Sequence, residues 1–364
     1  MHRVMLAMTC ALALTLAAGS ASAAIDPNGI FWDGHIAAGS PPSVESGRLD
    51  IDFDTPTTGT ATYYGSTPGT HTILDFQPLG CSYWQVSVQD DGDNIRAFSQ
   101  NVQMSVDRIA DGGQVGLDLS LRKAPGLYAD QDMYGTYKYI SHGFGNGSSS
   151  MQIGQVDMMP GGTLNYAFSD PDGGNIDVGG GIWALNSGSS LLWVEPTGAP
   201  SAFPMNLGAG RVLGRFFEED PGEVGYELLT KVTTGRVIGE VEKRWAIQGL
   251  LTDAAGVGET VWGCLTIADG NFALSFATSA DANQQLFTGQ AVMADDGRVT
   301  LIKDGVDSIM QGYVNLDGDM LVLGYAEDGG LQESPQQGVF VAVPEPASLT
   351  LLTIAGVAIP RRRR

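Results

Sequence analysis

The sequence predicts an all-β fold: an antiparallel meander of hairpins that forms a barrel or a sandwich, as one large β domain or two. Three observations predict it. Fifty of the 364 residues are glycine and only 16% are charged, a turn-rich composition unlike that of a helical protein. Apolar residues alternate with small ones, as in Phe272, Leu274 and Phe276 against Ala273, Ser275 and Ala277, the period of a half-buried strand. Asp-Gly and Gly-Gly pairs stand between such runs, where glycine supplies the positive φ of a tight hairpin.

Taken in order, the chain opens with a thin basic region (His2, Arg3), an apolar run from Val4 to Ala18 and the small residues Ala21-Ser22-Ala23. That order is a secretory signal peptide, residues 1–23, cut by signal peptidase to leave a chain starting near Ala24. Residues 24–124 form an N-terminal β-rich region with strands at Phe31 to Ile36, Arg48 to Phe53 and Ser82 to Val88. The Thr-rich stretch 55–60 between them reads as an exposed loop. Arg122 to Gly126 is the first linker candidate and Gly145 to Ser150 the second. Residues 125–343 hold the regular meander, with Gly-started strand pairs at Gly154, Gly263, Gly289 and Gly312. The Gly154 and Gly263 units lie about one hundred residues apart, from weakly similar halves or from ordinary hairpin grammar.

Without the two terminal signals, 14 basic and 40 acidic residues remain of the chain's 19 and 41, a balance of −26. Such a surface repels nucleic acid and anionic lipid. The hydrophobic content of 43% supplies a core and excludes global disorder. Cys81 and Cys264 lie in the body, with Cys10 in the leader. In an oxidising compartment they pair or stay as two buried thiols, and both readings stand.

Residues suited to catalysis are few. His35, His71 and His142 lack the close second ligand of a zinc motif, and they read as isolated surface or core side chains. The loop Asp170, Asp172, Asn175 and Asp177 offers several oxygens to a calcium ion, although it departs from the EF-hand pattern and a plain turn uses the same residues. Asp90 to Asn94 and Asp317 to Asp319 are lesser versions. Glu218-Glu219-Asp220 and the Glu240/Glu242 pair suggest glycosidase acids only if a cleft separates them properly. Six tryptophans (32, 84, 183, 193, 245 and 262) stack on sugar rings if exposed, but alternating strands usually bury them.

The C-terminus carries the most specific signal. Pro344-Glu345-Pro346 precedes an apolar run, 347–360, and then Arg361, Arg362, Arg363 and Arg364. These three ordered elements over 343–364 resemble the PEP-CTERM sorting signal. The apolar run reaches only about 21 Å as a helix against an approximately 30 Å bilayer core, which suits a transient stop. The resemblance implies export, brief residence in the inner membrane and processing by an exosortase-type enzyme. It also implies a destination at the cell surface or in an extracellular polysaccharide matrix. From it we expect a non-catalytic structural or adhesive module without a cofactor. The alternative is a secreted carbohydrate-active enzyme on a β scaffold.

Overall fold

A computed structural model of the protein describes residues 26–345, except 90–91, 109–112, 124–127, 171–173, 175, 187–190, 200–201, 254–256, 305–307 and 327–335. It contains three successive closed barrels, each of eight antiparallel strands in sequence order. The first comprises β1 (Gly29–Ala38), β2 (Ser43–Phe53), β3 (Gly59–Tyr64), β4 (Gly69–Gly80), β5 (Tyr83–Val88), β6 (Gly92–Phe98), β7 (Val102–Val106) and β8 (Val115–Arg122). The second comprises β9 (Gly135–Gly145), β10 (Ser148–Met159), β11 (Thr163–Ser169), β12 (Asp177–Asn186), β13 (Leu191–Pro196), β14 (Phe203–Leu207), β15 (Val212–Asp220) and β16 (Glu223–Lys231). The third comprises β17 (Arg244–Thr252), β18 (Gly258–Ala268), β19 (Asn271–Thr278), β20 (Gln285–Met293), β21 (Arg298–Lys303), β22 (Ser308–Val314), β23 (Leu321–Ala326) and β24 (Gln337–Pro344). Of the two expected forms, the barrel is realised, three times over.

Each barrel closes by pairing its first strand with its last: β1 with β8, β9 with β16 and β17 with β24. Closure removes the sheet edges that would otherwise template aggregation. The hundred-residue offset read from sequence is the length of one barrel. Gly154 and Gly263 occupy the same place in β10 and β18, and Gly47 in β2 is their counterpart. They face Tyr139, Ile247 and Asp33 across the pair with the preceding strand. In all three, a Cβ would meet a backbone carbonyl of the third strand: Tyr64 at 2.6 Å, Ala167 at 2.1 Å and Ser275 at 2.1 Å. The second strand bends into the closing barrel where it has no side chain. The repetition is therefore threefold.

The linker expected at Gly145 to Ser150 is instead the β9–β10 hairpin. Asn146 and Gly147 take φ of 49° and 79°, the left-handed pair that a two-residue turn demands, so the residues that suggest a flexible linker form a tight turn. At the other candidate, Arg122 ends β8 and Lys123 bridges to Gly208.

The second and third barrels are filled. Tyr137, Met158, Leu164, Trp183 and Leu213 pack in one, and Trp245, Leu265, Phe272, Leu301 and Phe340 in the other. A third apolar cluster lies between barrels, not inside any. It joins Ile36, Met104, Leu117, Leu119 and Leu121 to Ile140, Phe144, Tyr226 and Leu228 and to Ala246, Leu250, Val339, Val341 and Val343. These are the outward faces of the closing strands and their neighbours. Each large side chain buried there contributes roughly 2 kcal/mol. Polar contacts pin the seam: the Tyr83 hydroxyl donates to the Ile247 carbonyl at 2.7 Å and accepts from the Gly263 amide at 3.0 Å. Lys138 Nζ donates to Asp296 at 2.8 Å between the second and third barrels.

Cys81, in the turn after β4, is bonded to Cys264 in β18, so of the two open readings the pair is the one found. Nothing in local sequence signalled it, since the partners meet only once two barrels dock. Closing a 183-residue loop stabilises by up to about 5 kcal/mol through the entropy removed from the unfolded chain.

If the bend glycines set closure, Gly263→Val will lower the urea midpoint of unfolding by the equivalent of about 3 kcal/mol. Val261→Ala, on the same strand and face, will cost less.

Candidate functional site

One barrel departs from the filled pattern. The first encloses a cavity of about 310 Å³, within the usual range for small-molecule sites. Its apolar wall includes Leu49, Ile51, Ile73, Phe76, Val86 and Phe98. Phe76 stacks on Trp84 with ring centroids 4.3 Å apart and meets Phe98 edge-on at 5.3 Å.

The remaining wall is polar, and strand register explains how. Side chains directly opposite across paired strands share a face, so adjacent strands lay inward residues in rows. One row runs Arg96, Ser105, Asp118, His35, Glu45. The next runs Phe98, Gln103, Ser120, Asp33, Gly47. Equivalent positions in the other barrels show what a sealed barrel uses. Gln103, Ser120 and Asp33 correspond to Leu213, Leu229 and Tyr139 in the second and to Leu321, Ala342 and Ile247 in the third. Ser105, Asp118 and His35 correspond to Arg215, Glu227 and Ser141, then to Leu323, Phe340 and Gly249. In the third barrel the Phe340 ring fills the space left by Gly249, 2.4 Å from where a Cβ would stand. In the second, Arg215 binds Glu227 through two contacts of 3.0 Å and lies between the rings of Phe203 and Phe217. Among the described residues, the first barrel carries polar groups along both rows, with open space beside them.

In the first row the Asp118 carboxylate is satisfied at both oxygens. His35 Nδ1 donates to Asp118 Oδ1 at 2.7 Å, and the Ser105 hydroxyl donates to Oδ2 at 2.7 Å. Burial opposes charge on His35, but the Asp118 hydrogen bond and charge prevail, with help from Asp107 and Asp33, and raise its pKa to about 9. Burial likewise opposes the Asp118 carboxylate, yet His35, Arg96 and Ser105 hold it down near 2. The second row is different. Asp33 accepts from the Ser120 hydroxyl, while burial and the Asp118 charge push its pKa up to about 6. Gln103 is buried, and neither its amide oxygen nor its amide nitrogen has a partner.

The sequence had read His35 as isolated. It is paired with a residue 83 positions away, and the one local signal of that partner is the alternation of its strand. In β8, Leu117, Leu119 and Leu121 alternate with Asp118 and Ser120. An amphipathic strand shows that two faces differ, not which lies inside; here the leucines face the other barrels. His71 lines the same cavity. His142 is fully buried in the seam, where Nε2 lies 2.9 Å from Thr252 Oγ1.

Of the sorting residues, Pro344 closes β24 and its carbonyl accepts from the Ser82 hydroxyl of the first barrel at 2.7 Å. The Glu345 amide donates to the Arg244 carbonyl at 2.8 Å, and its carboxylate pairs with the Arg244 guanidinium at 3.2 Å. Pro346 and Arg361 to Arg364 lie outside the described residues, as do the signal peptide and the apolar tail. Of the calcium candidates, Asp170 and Asp177 flank the β11–β12 connection, and Asp172 and Asn175 lie outside the described residues. Among the described residues, no group of three or more His, Cys, Asp or Glu side chains is placed to hold a metal, and no helix is long and apolar enough to cross a membrane. Of the candidate glycosidase acids, Glu240 pairs with Arg236 at 2.6 Å and Glu242 accepts from the Gly270 amide at 3.0 Å. Trp183 and Trp245 are core, whereas Trp193 is 41% exposed.

The His35–Asp118 pair has a signed pH dependence. Its raised histidine contributes stability in full below about pH 6.5 and loses it as pH rises through about 9. The lowered Asp118 contributes above about pH 4 and loses it as pH falls toward 2. His35→Gln will therefore cost about 1–3 kcal/mol at pH 5.5 and markedly less at pH 9.5, as measured by urea unfolding at both.

No family model matches the chain, and no curated protein does. Among solved structures, it is similar to a DUF3598-family protein of unknown function from Nostoc punctiforme, at 10% identity over 90% of this chain and 99% of that one, TM-score 0.23. It is also similar to a point mutant of the vaccine antigen transferrin binding protein B from Haemophilus parasuis, at 8% identity over 87% and 76% of the two chains, TM-score 0.25. Likeness at this level says nothing of function.

Proposed function

We propose that this chain is an exported, non-catalytic binding protein of the cell envelope or extracellular matrix, with the lumen of its first barrel as the binding site. The single observation that carries the binding role is the contrast between equivalent positions. Where the first barrel uses Gln103, Ser120, Asp33, Asp118 and His35, the third uses Leu321, Ala342, Ile247, Phe340 and Gly249, and the second keeps one polar, self-compensated row (Glu227 and Ser141) beside Leu213, Leu229 and Tyr139. Buried polar groups cost stability unless they serve a partner, and the first barrel leaves such groups beside a cavity. Its apolar wall and polar rows suit a small amphiphile. The second and third barrels then act as scaffold.

A neutral naphthyl probe, N-phenyl-1-naphthylamine, tests the lumen. Wild-type protein will bind it saturably at one site with enhanced fluorescence. Ala61→Trp, which fills the lumen from β3, will abolish binding while the far-ultraviolet circular dichroism stays unchanged. Equal binding to both proteins would move the site elsewhere.

Export and sorting are supported by the leader at 1–23 and by the order of Pro344-Glu345-Pro346, apolar run and four arginines. Through this tail the protein would meet the inner membrane and an exosortase-type enzyme, and then extracellular polysaccharide. Intact-mass analysis of protein from the native host will give a chain starting near Ala24 and lacking Arg364. Replacing Arg361 to Arg364 with serine will change its processing or location without altering the folded body; no change in either would remove the sorting role.

A further inference from the structure

The lumen reading leaves open which chemistry the ligand presents, and the two polar rows differ in what they still require. In the Arg96–Ser105–Asp118–His35–Glu45 row, positive and negative groups alternate around Asp118, both of whose oxygens are hydrogen bonded within the row. The Asp118 carboxylate therefore offers no free oxygen to a cationic head group. In the neighbouring row, Ser120 is committed to Asp33. Gln103, 1% exposed and lining the cavity, has both a free donor and a free acceptor.

A primary amide side chain offers an N–H₂ and a C=O side by side. An ammonium head group answers the oxygen but leaves the amide nitrogen without an acceptor. A carboxylate answers the nitrogen, leaves the oxygen unpaired and brings negative charge toward Asp33. A hydroxyl supplies one oxygen for two diverging groups. Another amide supplies a donor and an acceptor at the same spacing and satisfies both atoms at once. Leaving either unmet costs more than the bond itself contributes.

Resting on the lumen reading, we propose that the first barrel takes a neutral amphiphile with an amide head group. Its N–H and C=O lie edge-on to Gln103, and its apolar body lies against Leu49, Ile51, Ile73, Phe76 and Val86. Asp33 and Ser120, next along the row, hold the adjacent wall in place. The equivalents Leu213 and Leu321 show that the barrel itself does not need an amide at this position.

Four probes sharing one alkyl chain separate the head groups: decanamide, decanoate, decylamine and 1-decanol, each titrated by calorimetry at pH 7.5. Wild-type protein is expected to bind decanamide at least about tenfold more tightly than the other three, the worth of one to two net hydrogen bonds. Gln103→Leu copies the residue of the other barrels, so it folds with an unchanged or higher melting temperature. It is expected to bind all four probes within about threefold of one another. Equal affinities in the wild type, or an amide preference that persists in Gln103→Leu, would overturn the assignment. A preference for decylamine that disappears in Asp33→Asn would overturn it in favour of a cation. If the four probes fail while the naphthyl probe binds, the amide amphiphile is excluded and the lumen stands. If the naphthyl probe fails too, the lumen reading falls with it.

Discussion

Everything distinctive about this fold depends on one burial: the outer faces of the closing strands pack against one another. In an isolated small barrel, the interior is the only place to hide apolar side chains, and it must be filled for the barrel to stand. Here Leu117, Leu119, Leu121, Ile36 and Met104 are removed from water on the outside, against Ile140, Phe144, Leu250, Val341 and Val343 of the other barrels. The first barrel gets much of its core from its neighbours. Its interior is thereby released from a purely structural role and can hold Asp33, His35, Arg96, Gln103 and Asp118.

The three copies form a graded series. The third is apolar along both rows, the second carries one compensated cluster around Arg215, Glu227 and Tyr139, and the first is polar along both. The gradation follows the lattice of strand pairing, since corresponding residues sit at the same register in every copy. At the neighbouring level all three keep an aromatic ring under a cation: Phe31 under Arg122, Tyr137 under Lys231 and Trp245 under Lys243. That level is common to the copies, and only the two rows above it are specialised.

Much of the architecture was legible in the sequence. Alternation and Asp-Gly turns marked the hairpins of the third barrel, and the glycine spacing between 154 and 263 measured one barrel. What was illegible has a common cause. Strand alternation is symmetric between a polar outside and a polar inside, so the pattern of β8 does not say which of its faces lines the lumen. The His35–Asp118 pair, the Cys81–Cys264 bond and the Tyr83 contact with β17 and β18 all require partners that are distant in sequence. Gly145 to Ser150 misled for the opposite reason, because residues that favour flexibility in a linker also favour the left-handed corner of a tight turn. The free amide of Gln103 becomes visible only when its surroundings are built.

The separation of seam from lumen has an evolutionary consequence. In most small proteins a change in the binding pocket is also a change in the core, so new specificity is bought with stability. In this chain the seam residues and the lumen residues alternate along the same strands but face opposite ways. Substitutions at Gln103, Asp33 or Glu45 leave the packing of Leu117, Leu119 and Met104 untouched, and two intact copies continue to hold the third. The first barrel can therefore explore new ligands by point mutation while the assembly around it stays fixed. Descendants of such a chain would differ first in what they carry and only much later in how they fold.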